Sequence, residues 1–105
     1  MARGINRVLV SGNAIDDARF LETGGGAKCA TFRVVSERHG GKSGEMMTTR
    51  VKINVYIEAL IAICKTQLVK GAYVIVEGEL MTREGARGEV TEVRAREIIF
   101  TDLFD

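Results

Sequence analysis

The stretch "RVKINVYIEALIAICKTQL", residues 50–68, contains the change of period that decides the fold. Over its first eight residues, Arg50, Lys52, Asn54 and Tyr56 alternate with Val51, Ile53, Val55 and Ile57. Side chains of a strand point to opposite faces in turn, so this is a half-buried strand with an apolar inner row and a polar outer row. From Glu58 the period changes: Leu60, Ile63, Cys64 and Leu68 recur at helical spacing, predicting a helix over Glu58 to Leu68 with that stripe toward a core. Lys70 and Gly71 end it, glycine being the residue that takes a left-handed backbone without strain.

Upstream, glycine and serine clusters divide the chain into further strand-like pieces. The first is Asn6 to Ser11, whose "VLV" is expected to be buried on both faces of a sheet. Arg19 to Glu22 continues it beyond a bulge, and "TGGGA" is a turn. A second strand runs from Lys28 to Glu37, with Ala30, Phe32 and Val34 inward and Arg33 outward; "RHGGKSGE" then reads as a flexible, mildly basic loop. The third strand is Met46 to Ile57. After the helix come Tyr73 to Arg83 and Val90 to Thr101, joined by the short hairpin loop "EGARGE". Three strands, a helix and two strands, uninterrupted by any proline, match the OB-fold: an all-β, five-stranded, partly open Greek-key barrel with one helix between strands 3 and 4.

Composition bounds the function. At 105 residues the chain is expected to form one domain spanning 1–105. No run approaches the roughly 18 apolar residues of a membrane span, and no secretory leader is read in "MARGINRVLV". Fifteen basic against 14 acidic side chains leave +1, so any anion site must arise from local segregation of charge. Cys29 and Cys64 are isolated and flanked by apolar residues, which reads as two buried free thiols in a reducing cytoplasm. One histidine, two separate cysteines and scattered carboxylates form no catalytic or metal-binding constellation; neither enzyme activity nor a cofactor or metal is expected.

Several segments resemble the bacterial single-stranded DNA-binding protein family. "RGINRVLVSGN", Arg3 to Asn13, is similar to its first strand, and Asp17 falls where the family has an Asp, with Ala18 in place of the usual proline. "FRVVSER" resembles its second strand, "KG" with "VIVEGEL" and "MTR" the fourth strand and its exit, and "TEVRAREI" the fifth. The resemblance implies an OB-fold subunit that assembles as a homotetramer built from dimers. It also implies sequence-independent binding of single-stranded DNA in replication, recombination or repair, in the cytoplasm and on the nucleoid, with replication or repair proteins as further partners. Such binding combines a basic groove with rings on which bases stack.

This chain departs from that pattern by having no tryptophan. His39 occupies the position resembling the first stacking tryptophan, and Glu84 stands where an aromatic commonly follows "TR". Gapless counting back from the helix would place Val51 and Ile57 at stacking positions and bury Arg50 and Lys52, at several kcal/mol for each unpaired cation. One extra residue at the strand–helix junction instead puts Tyr56 and Arg50 at those positions, and that register is adopted. The expected stacking residues are therefore Tyr56 and His39, with Asn54 as a polar contact. The expected phosphate contacts are Arg33, Arg38, Lys42, Arg50, Lys52, Arg83, Arg87, Arg94 and Arg96, some of them paired with Glu79, Glu92 or Glu97. Phe20, Phe32 and Phe100 are assigned to core or interface. Phe104, in an acidic tip that faintly resembles the partner-recruiting end of the family's tails, reads otherwise as a frayed terminus. The competing function is an OB module that binds mainly protein, such as a primosomal replication-restart factor, favoured by the missing tryptophans and the low charge.

Overall fold

A computed structural model describes residues 3–22, 24–42 and 44–101; the acidic tip with Phe104 lies outside them. The elements are β1 (Val8–Ala14), β2 (Arg19–Glu22), β3 (Lys28–Gly40), β4 (Glu45–Val55), α1 (Glu58–Gln67), β5 (Tyr73–Gly85) and β6 (Gly88–Thr101). They form one sheet in the order β1-β5-β6-β4-β3-β2, and a further pairing of β1 with β3 closes five of its strands into a ring. Two seams are short: β4 meets β6 in parallel through Ile53 and Asn54, and β1 meets β3 through Asn13 and Ala14. The result is the expected OB-type arrangement, a partly open ring rather than a fully closed barrel, with its helix between β4 and β5.

The alternation in β4 sets the inside of the ring. Ile53 and Val55 are fully buried and meet Phe32 and Ala30 of β3 as direct cross-strand partners. Val34, Val74, Val76 and Val93 complete the same core, each fully buried. Burying a Val or Ile side chain contributes about 1.5–3 kcal/mol, so this inner row supplies the main driving force for closure. At the β1–β3 seam the backbones come so close that a Cβ at Gly12 would collide with the Val35 carbonyl oxygen. Only glycine fits there.

Several expectations change. Leu9, the middle of "VLV", is 71% exposed while Val8 and Val10 pack against the core, so β1 is buried on one face only. Ile57 leaves the alternation: it is the N-cap of α1 and lies half exposed. The buried stripe is Ile61 and Cys64 of α1, continued by Leu68 at its C-cap; Ile63 faces outward and Leu60 is partly buried. The stripe is rotated because Ile61, not Ile63, stands one turn before Cys64 on the side facing the sheet. Gly71 does take a left-handed backbone (φ 92), but in the Val69–Ala72 turn, where its N–H donates to the Ala14 carbonyl at 2.8 Å. Arg38 to Gly40 and Glu45 are ladder residues, not loop: β3 and β4 stay paired out to Gly40 and Glu45, forming a projecting hairpin arm. A Cα radius of gyration of 14.9 Å, against about 13 Å for a compact domain of this length, reflects such arms.

Candidate nucleic-acid interface

The outer row of β4 runs Met46, Thr48, Arg50, Lys52, Asn54, and directly opposite on β3 stand His39, Glu37, Val35, Arg33 and Thr31. Tyr56 follows just beyond the end of β4, 42% exposed. His39, Arg50, Lys52, Asn54 and Tyr56 therefore share one face, as the outward alternation predicts. Across the β4–β6 seam Arg94 is in register with Asn54, and Glu79 of β5 is in register with Arg94. The guanidinium carbon of Arg94 lies 5.4 Å from the centroid of the Tyr56 ring, within cation–π range.

Two carboxylates organise the cations of this face. Glu92, on β6, is 6% exposed. Arg83 donates to it in a two-pronged fork, Nε to Oε1 at 3.1 Å and Nη2 to Oε2 at 3.0 Å. Asn54 Nδ2 donates to Oε1 at 2.8 Å, and Lys52 Nζ lies 3.5 Å from Oε2. Held chiefly by the Arg83 hydrogen bonds, the Glu92 carboxyl is pulled down to about 2 despite burial, which opposes ionisation. The same bonds push the Arg83 guanidinium up. Asn54, expected to contact a ligand, is buried beneath this network and spends its amide on Glu92. Glu79 plays the second such part: Arg96 Nη2 donates to its Oε2 at 2.7 Å, and Arg94 Nη1 lies 3.8 Å from Oε1. Arg96 is the extra residue of a bulge in β6.

The remaining nominated cations differ in availability. Arg33 is tied to Asp16, Nε to Oδ2 at 2.9 Å. Arg38, Lys42, Arg50 and Arg87 are exposed, with no ion-pair partner among the described residues. Arg50 stands on the face itself. Arg38 points to the opposite side of the β3–β4 arm, and Lys42 and Arg87 sit at the turns of the β3–β4 and β5–β6 hairpins. Beside the face, a cleft of about 670 Å³ opens between Asp16, Arg19 and Leu21 on one side and Thr31, Arg33 and Lys52 on the other. A second, of about 340 Å³, adjoins Tyr56 between Lys28, Glu58 and Ile61.

Burial, followed by the neighbouring Cys29, pushes the Tyr56 hydroxyl up, so the ring stays neutral at physiological pH. Cys29 and Cys64 are buried free thiols, and burial pushes Cys64 to about 11. Among the described residues no cluster of His, Cys, Asp and Glu could hold a metal ion, and no helix is long and apolar enough to cross a membrane. Sequence reading missed Met46, half exposed opposite His39; the alternation of β4, continued upstream of Arg50, is the signal that reaches it.

The model of the single-strand binding protein family matches residues 5–103. The chain belongs to that family. Among curated family relatives, Single-stranded DNA-binding protein 1 of Chlorobaculum tepidum is 31% identical over 106 aligned residues, covering 98% of this chain. The chain spans 65% of that relative's length. The solved structure described as Plasmodium falciparum SSB complex with ssDNA shares the fold, with a TM-score of 0.83 over 97% of this chain and 99% of that one, at 24% identity. The ring and its helix are thus the single-strand binding fold, and the face built on β3, β4 and β6 lies on its sheet.

Proposed function

We propose that this chain binds single-stranded DNA without reading its sequence and protects it during replication, recombination or repair. One observation carries the reading: Arg50, Lys52, Arg83, Arg94, Tyr56 and His39 lie outward on the sheet that the family fold presents. Cations along a groove follow phosphates, and a flat ring accepts any base, so such a face is sequence-tolerant. The Plasmodium structure is a complex with ssDNA, and the Chlorobaculum relative is named for binding the same ligand, which supports the reading. With few rings and no tryptophan, phosphate contacts carry a larger share of the affinity than in a ring-rich relative.

Assembly as a homotetramer of dimers is part of the proposal. Its support is two exposed apolar side chains on the outer surface, Leu9 of β1 (71% exposed) and Ile99 of β6 (49%), beside the Val8–Gly12 stretch of β1. On its side away from β5, that stretch has no strand partner among the described residues. A cytoplasmic, non-enzymatic role on the nucleoid completes it. The second reading, a protein-binding module, is favoured by the ion pairs that tie Lys52, Arg83, Arg94 and Arg96 to Glu92 and Glu79.

Fluorescence anisotropy with a labelled oligo(dT) and a duplex of equal length separates the two. Tight binding of the single strand with weaker binding of the duplex is expected; a folded chain that binds neither leaves the protein-binding module.

A further inference from the structure

We propose that a nucleobase stacks at this face on the guanidinium of Arg94, which itself rests on the Tyr56 ring, making a platform of arginine over tyrosine. The proposal deepens the single-strand reading and rests on it. Tyr56 is a ring exposed on the outward face, yet it is not bare, because Arg94 lies over it at 5.4 Å. A base approaching on that side meets a guanidinium first. Arg94 is held from three directions: its backbone is in register with Asn54 and Glu79, its Nη1 lies 3.8 Å from Glu79 Oε1, and its guanidinium carbon lies over the ring, 5.4 Å from the centroid. Arg96 clamps the other oxygen of Glu79 at 2.7 Å, fixing the carboxylate that positions Arg94. Even so, the Arg94 side chain remains 50% exposed, leaving the group open to a ligand.

The chemistry favours this use. A guanidinium is planar, delocalised and weakly hydrated, so it stacks on aromatic rings and on unpaired bases. Glu79 takes up the Nη1 edge of Arg94, which leaves the remaining edge for a phosphate and the flat surface of the guanidinium unaffected by that pairing. A preset tier also lowers the ordering cost of binding, since the arginine is already held in place.

The test uses Arg94→Lys, which keeps the charge and removes the plane, with Arg94→Ala for comparison. Each variant is titrated with oligo(dT) and with an abasic deoxyribose-phosphate oligomer of the same length, at several salt concentrations. Arg94→Lys is expected to weaken oligo(dT) binding about five-fold or more, the lower end of what losing one stacked base costs. The salt slope stays unchanged and abasic binding is little affected. The ratio of the two affinities is measured within one variant, so an inactive fraction does not imitate the result. Arg94→Lys equal to the unaltered chain on oligo(dT), or weakened equally on both oligomers, overturns the proposal while leaving the single-strand reading intact. An unaltered chain that binds neither oligomer overturns both.

Discussion

Replacing Glu92 by Gln removes the charge around which Arg83, Lys52 and Asn54 are arranged, and the structure sets the size of the loss. The carboxyl falls from an ordinary 4.5 to about 2, mainly through the Arg83 hydrogen bonds. Each factor of ten is worth about 1.4 kcal/mol, giving an upper bound of about 3 kcal/mol. Arg83 and Lys52 are 45% and 40% exposed, so water screens part of the attraction. A loss of about 1–2 kcal/mol on Glu92→Gln is expected at pH 7. The folded-state value is depressed, so this stability is fully present above pH 4.5 and disappears as pH falls toward 2. Urea unfolding of both proteins at pH 7, 4 and 2.5, at one fixed chain concentration, reads the gap directly. Equal stability at pH 7, or a gap that persists undiminished at pH 2.5, would mean that the Glu92 network does not hold the fold together in this way.

The same substitution frees Lys52 and Arg83 for phosphate, so the salt dependence of single-strand binding should steepen by up to about 1.4, two cations at about 0.7 each; an unchanged slope would show that Glu92 does not compete with DNA. Gly12→Ala drives a methyl group into the Val35 carbonyl and should cost about 1–3 kcal/mol, seen as a lower Tm; an unaltered Tm contradicts the tight seam. Arg50→Ala should lower the salt slope by about 0.7 with little change in Tm, because Arg50 is exposed and unpaired among the described residues; calorimetry and titration together check both halves. Leu9→Glu should shift the assembly toward smaller species in light scattering while the fold persists, and an unchanged mass removes β1 from the proposed interface.

Where sequence and structure agree, the cause is local. The outward row Arg50, Lys52, Asn54 and Tyr56 follows from side-chain alternation and the cost of burying cations, and both hold in the folded chain. Alternation reports a face but not depth: Asn54 lies on the predicted side and is still covered by Glu92 and its partners. Pairings that depend on cross-strand register are invisible in one sequence. Glu79 and Glu92 could be named as partners for nearby arginines, but not which arginine each would hold. The β3–β4 arm was illegible for another reason. Its glycines and charges read as loop by composition, whereas cross-strand hydrogen bonding carries the ladder to Gly40 and Glu45. Leu9 reads as buried because "VLV" is apolar throughout, although nothing among the described residues covers one face of that strand.

A phosphate-tracking face on a single-strand binding fold must show itself in the slope of log affinity against log salt for oligo(dT). Three exposed cations with no ion-pair partner among the described residues, Arg50 on the face and Lys42 and Arg87 at the hairpin turns, predict a slope per chain of about −2, at roughly 0.7 per neutralised phosphate. A measured slope near that value, or steeper as DNA displaces Glu79 and Glu92 from their arginines, agrees with such a face. A flat dependence, or no binding by the folded chain at low salt, contradicts it.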